Sequence, residues 1–382
     1  MKTLTFITNF VNHHQLPLAD EFYKILGEGY SYIATEPLPD WLIEGGYDSS
    51  LDRPYIIRAY ENKNSFNKAK FLANTSDVVI MGEASVRWIR KRLFYNKITF
   101  NFNERWFKDA DFKHYLKIGI IGGILKNHFI YRYHKLYMLC ASAFTAEDVH
   151  KVACYPEKKC FKWGYFTQVD DKLDLDLIFK QTYSENNISI MWCSRFIKWK
   201  HPELPIELAY KLKKAGYKFV IDMFGSGIKL ENSIKLVEQL GLQDVVKFKG
   251  NLPNEEILDE MKKHRIFLFT SDRNEGWGAV ANEAMSNACV LVASHEIGSV
   301  PYLIQDGKNG VIFKSCDVES LYEKTAYLID HPEECQRLAQ NAYYTLKNIW
   351  SPKSAAERFL NLVKILENKG CNFYENGPCS FA

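Results

Sequence analysis

The chain has 382 residues, of which 47% are hydrophobic and 25% are charged, and it carries a formal net charge of +3. This composition is that of a globular protein, so it excludes a wholly disordered chain, and the net charge is too small to indicate nucleic-acid binding. The length predicts two domains of roughly 150–200 residues each.

The N-terminus and the cysteines indicate the cellular compartment. MKTLTFITNF lacks the long apolar stretch of a signal peptide, and the nine cysteines form neither a CxxC pair nor a metal-ligand spacing. The longest apolar run, from Ile118 to Leu125, is shorter than the roughly 20 residues that span a bilayer. We therefore expect reduced thiols and a cytoplasmic protein.

Short β-rich runs alternate with longer segments of helical period, which predicts βαβ units, parallel sheets and an α/β fold. The predicted strands are TLTFITNF, PYIIRAY, DVVIMG, KITFNF and LYMLCAS in the first half, and ISIMWCS, KFVIDMFG, VVKFKG, RIFLFTS and CVLVAS in the second. The stretch YPEKKCFKWGYFTQVDDKLDLD between them is interpreted as the domain boundary. We predict two doubly wound domains, 1–165 and 166–350, facing each other across a cleft. A C-terminal helix and tail, 351–382, is expected to pack back toward the first domain.

Ligands of such sheets bind at the carboxyl ends of the strands. In the first half this rule selects Asn9 to His14, with His13 and His14 among them, Gly82 with Glu83, and Asn103, Glu104 and Arg105. In the second half it selects Ser194 with Arg195, Gly225 to Gly227, Gly250, Ser271 to Gly278, and Ser294 to Gly298. The two histidines could donate hydrogen bonds to a phosphate or an acceptor, but histidines that cap a helix or pack in the core fit the spacing equally well.

Arg195 and Lys200 lie in SRFIKWK, after a buried strand and before a helix. A departing diphosphate needs compensation for its developing charge, which the planar fork of arginine and the compact charge of lysine can supply. Such stabilisation is largest in the transition state, so the pair is expected to act on turnover. The alternative is a pair of solvated surface cations, which contribute little.

The stretch EGWGAVANEAM places one glutamate before two glycines and another eight positions later. Gly276 and Gly278 allow a close approach of the backbone to a ligand and are expected to begin a helix, whose N-terminus favours anions. Glu283 would lie two turns inside that helix and could accept two hydrogen bonds from a vicinal diol. A solvent-facing Glu283 is the alternative, but the mostly small and apolar helix VANEAMSNA argues against it.

Two other chemistries are disfavoured by the sequence. NFVNHHQLPLADEF, after the first strand, lacks a GxGxxG motif, and no glycine occurs before Gly27, which argues against a nicotinamide-dependent dehydrogenase. The pairs Asp109 with Asp111 and Asp174 with Asp176 are interpreted as solvated acids. We expect no catalytic metal and no other cofactor.

Five motifs in order resemble the retaining glycosyltransferases of family 4, which have the GT-B fold of two facing Rossmann-like domains. They lie between Ile188 and Phe313 and read SRFIKWK, MFGSG, LGLQDVVKFKGNLPNEEI, EGWGAVANEAM and GSVPYLIQDGKNGVIF. TNFVNHHQLP and FNERWFK in the first half resemble a bacterial surface-polysaccharide branch. Two stretches depart from the family pattern: TSDRNEGWG is one residue longer than usual, and HEIGSVPYL replaces Gly-Gly-x-Pro-Glu.

The resemblance implies a role for each motif. Arg195 and Lys200 would hold the diphosphate of a nucleotide-sugar donor, and Glu283 its ribose hydroxyls. Glu275 would contact the donor sugar, assisted by the amides of residues 276–278, and the backbone near Gly250 would face the base. The donor-binding set is thus Glu283, Gly276, Trp277, Gly278, Gly225, Gly227, Gly250 and Asn251, while the first domain binds a saccharide or lipid-linked acceptor. Transfer would proceed with retention, by front-face attack and without metal.

Two alternatives remain open. The same fold could serve a sugar-nucleotide epimerase or hydrolase, or, in a much longer chain with a pyridoxal lysine, a phosphorylase. The chain could also be a catalytically silent, membrane-associated partner subunit, although Arg195, Lys200, Glu275 and Glu283 are all present.

Positive charge is concentrated between Ala84 and Cys140, where 12 Lys or Arg stand against three acids, interleaved with aromatic residues. Arg87, Arg90 and Arg92 are the most closely spaced arginines of this region. Nucleic acid could use such a mixture, but beside a sugar-nucleotide site we expect none. A solvated face over an ordinary core is one interpretation. The other is peripheral contact with an anionic membrane at its inner face, where cations and aromatic rings meet the headgroups.

Overall fold

The computed structural model describes residues 1–40, 52–108, 115–183, 188–368, 370 and 372–382. These residues form two compact units. The first consists of 1–168 together with 350–382, and the second of 169–349.

A seven-stranded parallel sheet in the order β3-β2-β1-β4-β5-β6-β7 is the core of the first unit. Its strands are almost entirely buried because helices cover both faces, which is why they read as apolar runs without alternation. They are β1 Leu4–Thr8, β2 Tyr30–Ala34, β3 Ile56–Arg58, β4 Val78–Met81, β5 Thr99–Asn103, β6 Leu136–Cys140 and β7 Cys160–Lys162. The helices are α1 Leu16–Leu26, α2 Lys63–Thr75, α3 Arg90–Phe94, α4 Ile118–Asn127 and α5 Thr145–Lys151.

The second unit contains a six-stranded parallel sheet in the order β10-β9-β8-β11-β12-β13. Its longer helices each have a buried apolar side. The strands are β8 Ile188–Cys193, β9 Phe219–Phe224, β10 Val246–Gly250, β11 Ile266–Phe269, β12 Val290–Ser294 and β13 Val311–Phe313. The helices are α6 Leu175–Tyr183, α7 Glu203–Lys214, α8 Leu230–Gln239, α9 Asn254–Met261, α10 Val280–Ser286, α11 Val300–Leu303, α12 Val318–Asp330 and α13 Pro332–Asn348.

Each sheet reverses its strand order at one point. In the first unit the reversal lies between β1 and β4, and in the second between β8 and β11. The connections that follow these two strands run to opposite sides of the sheet. This opens a crevice at the carboxyl ends of the two strands, where ligands of doubly wound sheets bind. The loops after these four strands are therefore the places where a site is expected.

The last helix, α14 Pro352–Leu366, belongs to the first unit and packs against α1. Ser351 caps its start by accepting a hydrogen bond from the amide of Ser354, and Pro352 occupies its first turn. Phe359 of this helix contacts Phe22 and Phe100 edge to face. The tail then pairs with β7, where the Lys162 amide donates to Ser380 and the Cys379 amide donates to Lys162, so the edge strand is covered.

Three strands are absent from the sequence prediction. β2, with the sequence YSYIA, contains a serine and is not a continuous apolar run. β13 has only three residues, and β7 falls within the stretch interpreted as the domain boundary. The partners that stabilise β7 are β6 and a tail more than 200 positions away, so its short local sequence carries little signal.

Arg92 corrects the expectation of an exposed group of three arginines. Arg87 and Arg90 are exposed, but Arg92 is fully buried. Its guanidinium donates to the carbonyls of Ser76, Asp77 and Ile98 at 2.6–2.7 Å and to the Thr99 hydroxyl at 2.9 Å. Burial lowers the pKa of Arg92 to about 10. This arginine ties the start of β4 to the start of β5 and cannot contact a membrane. Among the described helices, none combines the length and the apolar character that crossing a membrane requires.

Candidate functional site

The centre of the candidate site lies at the strand reversal of the second unit. Lys200 ends a single 3₁₀ turn, Lys198–Lys200, in the loop after β8, and Glu275 lies in the loop after β11. The Lys200 ammonium contacts Oε2 of Glu275, and both residues are less than 10% exposed. Ser271 Oγ donates to the same oxygen at 2.9 Å. The structure therefore brings together two residues that the sequence analysis assigned to the diphosphate and to the sugar.

A layer of polar contacts holds this pair in place. The Asp272 amide donates to the Trp199 carbonyl at 3.0 Å, and the Thr270 hydroxyl donates to the Lys200 carbonyl at 2.7 Å. His201, in the left-handed region at φ 50°, bridges Glu203 at 2.9 Å and Asp272 at 3.1 Å. The hydrogen bond to Glu203 is the main reason that the pKa of His201 is raised. Of these residues only Asp272 lies in a loop that the sequence selects, because the others acquire a common function only when the two loops meet.

Arg195 stands in a different environment from Lys200. Its side chain is exposed, and the guanidinium carbon lies 5.8 Å from the centre of the Trp199 ring. The Lys200 ammonium lies 4.3 Å from the same ring. One cation is thus held by a carboxylate beneath the surface, while the other presents its planar fork to solvent, where an anion can reach it.

The glycine loop after Glu275 is shaped by close packing. Gly278 has φ +79°, and a Cβ there would lie 2.3 Å from Cζ of Phe269, so this position requires glycine. Trp277 was predicted to bind the donor, and the structure places its side chain in the interior, where the indole N–H donates to Asn282 at 2.8 Å. The Gly298 amide donates to the Glu275 carbonyl at 3.2 Å and ties the loop to the segment before α11.

Glu283 is nearer to the start of its helix than the sequence predicted. The loop from Gly276 to Gly278 is irregular and α10 begins at Val280, so Glu283 lies in the first turn rather than two turns inside. The difference arises because Gly278 takes a positive φ, which helical residues do not adopt. Glu283 is buried, and burial raises its pKa to about 7, against a hydrogen bond with Asn254 that lowers it. A diol that donated to this carboxylate would compensate for lost hydration.

The glycines after β9 have a structural function that the sequence analysis did not foresee. Gly225 has φ +125°, and a Cβ there would lie 1.9 Å from the Ser194 carbonyl oxygen. Gly227 has φ +146°, with the corresponding distance to the Phe196 oxygen being 2.6 Å. These glycines let the loop after β9 close on the loop that carries Arg195. A Cβ on Gly250 would meet no atom within 4 Å. The Gly250 carbonyl accepts a hydrogen bond from the Gly225 amide at 2.8 Å, and the Asn251 side chain donates one to the Ser226 hydroxyl at 2.9 Å.

The first unit has a polar cluster at its own strand reversal. Asn9, after β1, donates to Glu83, after β4, at 3.4 Å. Partial burial, followed by the charge of Glu104, raises the pKa of Glu83. Glu104 in turn accepts from the Lys108 ammonium at 2.6 Å and from the Tyr165 hydroxyl at 3.4 Å. The ring of His14 lies 6.5 Å from that of Tyr165, which extends the cluster to the loop after β1.

The two histidines of this cluster differ in environment. His13 and His14 form a 3₁₀ turn capped by Asn12, with their rings 3.9 Å apart. Burial, followed by the neighbouring His13, lowers the pKa of His14 to about 3, and burial also lowers that of His13. Burial thus favours the neutral form of both rings, which suits hydrogen bonding to a ligand.

A cavity of about 500 Å³ lies beside this cluster within the first unit. Asn103 ends β5 and contacts Trp106, whose ring N–H donates to its side-chain oxygen at 3.2 Å. Arg105 pairs with the buried Asp148 at 3.9 Å, and Asp148 also accepts from the amides of Trp106 and Phe107. Sequence analysis identified the polar wall from the carboxyl end of β5 but missed the remaining wall. That wall comprises Tyr115, Ile120, Gly123, Ile124, Asn127 and His128, most of them from α4.

The acidic pairs named in the sequence analysis do not contribute to either cluster. Asp174 accepts a hydrogen bond from the Leu177 amide at the start of α6, a capping role. Asp109 and Asp111 lie outside the described residues. Within the part of the chain that the structure describes, no group of three or more His, Cys, Asp or Glu side chains is placed to hold a metal ion.

The second unit is similar to a known protein family. Residues 176–345 match the family model described as "Glycosyl transferases group 1". The matched residues lie entirely within the second unit. They include Arg195, Lys200, Glu275 and Glu283, and they make up somewhat less than half of the 382 residues.

Curated relatives align over part of their length. The chain is 29% identical over 153 residues to the alpha-D-kanosaminyltransferase of Streptomyces kanamyceticus, covering 40% of this chain and 39% of that protein. It is 30% identical over 123 residues to the poly(glycerol-phosphate) alpha-glucosyltransferase of Bacillus subtilis, covering 32% of this chain and 18% of that protein. The chain therefore matches much less than two thirds of the length of these relatives.

Solved structures extend the likeness to the whole chain at the level of fold. HepE of Anabaena, solved in complex with UDP and glucose, superposes with a TM-score of 0.66 at 12% identity, covering 96% of this chain and 100% of that chain. This confirms the predicted fold class: two Rossmann-like α/β domains with parallel sheets of seven and six strands, as in GT-B glycosyltransferases.

Proposed function

We propose that this protein is a retaining, metal-independent glycosyltransferase that moves a sugar from a nucleotide-diphosphate donor to a saccharide or lipid-linked saccharide. The observation that carries the proposal is the pairing of Lys200 with Glu275 beside the exposed Arg195, at the strand reversal of the region that matches the group 1 family model. A hydrolase or epimerase could use the same donor site, but the polar cavity of the first unit supports a reaction with an acceptor.

The residues of the second unit suit a diphosphate leaving group. As the bond between the sugar C1 and the diphosphate oxygen breaks, negative charge grows on that oxygen. Arg195 can bind two phosphate oxygens with its fork, and Lys200 can turn from Glu275 to the same group. Glu275 then becomes available to the sugar hydroxyls, and Glu283 to the ribose diol. The acceptor oxygen attacks from the face that the leaving group vacates, and its proton passes to the departing diphosphate.

Glu83, Asn103, Glu104 and Arg105 are proposed to bind the acceptor. The cavity that they border combines carboxylates and amides with the rings of Trp106, Tyr115 and His128. Carboxylates accept hydrogen bonds from sugar hydroxyls, and side-chain amides both accept and donate them. Aromatic rings offer apolar contact area at low cost in conformational entropy. His14, which lies near Tyr165, and His13, whose ring is next to that of His14, would extend this surface. We place the reaction in the cytoplasm, at the inner face of the membrane.

The deciding experiment incubates the protein with a panel of nucleotide-diphosphate sugars, with and without soluble and lipid-linked saccharides, and follows nucleoside diphosphate and product by mass spectrometry. We expect release that depends on acceptor, an α-linked product from an α-linked donor, and full activity in EDTA. Glu275→Gln should abolish transfer, whereas Lys198→Ala, an exposed lysine of the same turn, should not.

Other outcomes contradict particular parts of the proposal. Free sugar released equally without acceptor would indicate a hydrolase or epimerase. Consumption of no donor at all would indicate a silent partner subunit. An inverted product would exclude retention, and loss of activity in EDTA that added Mg²⁺ or Mn²⁺ restores would exclude metal independence.

A further inference from the structure

Helix α4, Ile118–Asn127, has an unusual surface for a helix of a globular protein. Its sequence IGIIGGILKN is apolar around its circumference, yet it contains no buried residue. Ile118 is 90% exposed, and Ile121 and Leu125 are also exposed. These three side chains recur at intervals of three and four positions and therefore form one stripe on the helix. A helix that is apolar all round normally lies inside a protein or in a lipid environment.

Three glycines make this helix weak in water. Gly119, Gly122 and Gly123 would each meet no neighbour if they carried a Cβ, so no packing contact within the described chain explains them. Each glycine costs about 1 kcal/mol of helix stability relative to alanine. An apolar surrounding offsets this, because backbone groups without water must bond within the helix.

The charges beside the stripe have one sign. Lys117 directly precedes the helix, Lys126 lies in its last turn, and both are exposed. Lys135, also exposed, follows the helix. No aspartate or glutamate occurs from residue 115 to residue 146. Such a surface is complementary to anionic lipid headgroups, each basic residue adding an attraction that salt screens.

Aromatic residues follow directly after the helix. Tyr133 is 78% exposed, and Ile130 is also exposed. The Arg132 guanidinium lies 3.8 Å from the ring centre of Phe129 and 4.6 Å from that of Tyr133. Tyrosine, with an apolar ring and a polar hydroxyl, is one of the side chains that are enriched at the headgroup level of a bilayer.

We propose that the outer face of α4, defined as Ile118, Ile121, Leu125 and Tyr133, inserts into the headgroup boundary of an anionic membrane. A protein partner is a poorer fit, because a ten-residue helix is about 15 Å long and 10 Å wide, whereas a stable interface buries about 800 Å² on each partner. The opposite side of α4 supplies Ile120, Gly123 and Ile124 to the cavity of the first unit. A helix that enters the membrane boundary thus carries one wall of that cavity with it.

The test is sedimentation of the intact protein with vesicles of phosphatidylcholine alone and of phosphatidylcholine mixed with phosphatidylglycerol, at low and high salt. Wild type should bind the anionic vesicles more tightly, and salt should weaken the preference. Ile118→Ser combined with Ile121→Ser and Leu125→Ser should lower the partition coefficient on anionic vesicles at least about tenfold. Lys117→Gln with Lys126→Gln should lower it about twenty-five-fold, at roughly a factor of five for each charge.

The matched control changes three exposed apolar side chains on other helices, Ile25→Ser, Phe71→Ser and Leu177→Ser, and should leave vesicle binding unchanged. Circular dichroism and the urea midpoint verify that each variant is folded. Absence of vesicle binding by wild type, or binding that neither the α4 variants nor salt reduces, would overturn the inference. Self-association that the α4 variants abolish would assign the face to a second copy instead. The assay contains neither donor nor acceptor, so its result is independent of the proposed transferase activity.

Discussion

Lys200 and Glu275 form an ion pair across 75 positions of the chain. Their loops follow β8 and β11, the two strands between which the sheet order reverses. Because parallel strands end at the same edge, this reversal places the two loops side by side. The pair therefore marks the point at which the second unit can bind an anionic ligand, and donor binding would have to exchange one partner of each residue.

Removal of Lys200 should impair both turnover and stability. Losing one charged donor to a transition-state anion lowers the rate by about 10²–10³. The lost partner also leaves the buried Glu275 carboxylate uncompensated, which costs about 3–5 kcal/mol. We expect Lys200→Ala to show a fall in kcat that exceeds any rise in donor KM, together with a lower urea midpoint. The control is Lys198→Ala, and near-normal turnover of the Lys200 variant would contradict its role.

The Glu283 carboxyl should make stability depend on pH. Burial holds its folded pKa at about 7, above the ordinary value of 4.5. The folded state therefore binds this proton more tightly than the unfolded state does. The contribution of the Glu283 carboxyl to the free energy of unfolding is fully present below about pH 4.5 and is lost as the pH rises through about 7. Glu283→Gln, which mimics the neutral form, should be more stable than wild type near pH 8 by about 1–3 kcal/mol and nearly equal to it near pH 4.5. Urea unfolding at both pH values measures this.

The same substitution should weaken donor binding. A ribose diol is contacted equally in the ground and transition states, so its loss raises donor KM more than it lowers kcat. The control should be a carboxylate or amide that does not contact Glu283, which excludes Asn287 because its side chain donates a hydrogen bond to the Glu283 carbonyl. Glu207→Gln, on α7, changes a carboxylate whose pKa is also raised by burial and should leave KM unchanged. A defect confined to kcat would contradict the ribose role of Glu283.

Gly278 and Gly250 form a natural pair for separating backbone strain from crowding. Both have positive φ, at +79° and +72°, but a Cβ on Gly278 would lie 2.3 Å from the Phe269 ring, whereas one on Gly250 would meet nothing within 4 Å. We expect Gly250→Ala to cost about 1 kcal/mol from strain alone, and Gly278→Ala about 2–4 kcal/mol with a displaced Glu275 loop. Equal losses of unfolding free energy would show that the ring yields to the methyl group.

Arg92 should matter for stability and not for vesicle binding. Its guanidinium satisfies the carbonyls of Ser76, Asp77 and Ile98, which Arg92→Met would leave without this donor. We expect a loss of about 3–5 kcal/mol in unfolding free energy. Arg90→Met, on the same helix but exposed, should change it by less than about 0.5 kcal/mol. A comparable effect of both substitutions would exclude the structural role of Arg92.

The sequence by itself predicted the features that depend on a local pattern of residues, namely most of the strands and the parallel arrangement of the two sheets. Apolar β-rich runs identified ten of the strands, and the period change between strands and helices identified the parallel sheets. Because ligand sites of such sheets lie at the carboxyl ends, the same pattern selected Glu83, Arg195 and Glu275, which the structure shows in loops at those ends, and Asn103, which is the last residue of β5. These predictions succeed because burial on both faces of a sheet imposes a composition that each strand carries in its own residues.

Tertiary structure alone decided the partners of the charged side chains. Arg87, Arg90 and Arg92 are indistinguishable as sequence, yet only Arg92 faces the carbonyls between two strands. Trp277 and Arg195 were both predicted to bind the donor, but one lies in the interior and the other in solvent. β7 exists because a distant tail covers its edge. Whether a polar side chain binds a ligand or stabilises the fold depends on which groups lie within hydrogen-bonding distance of it. Those groups come from positions that are remote in the chain.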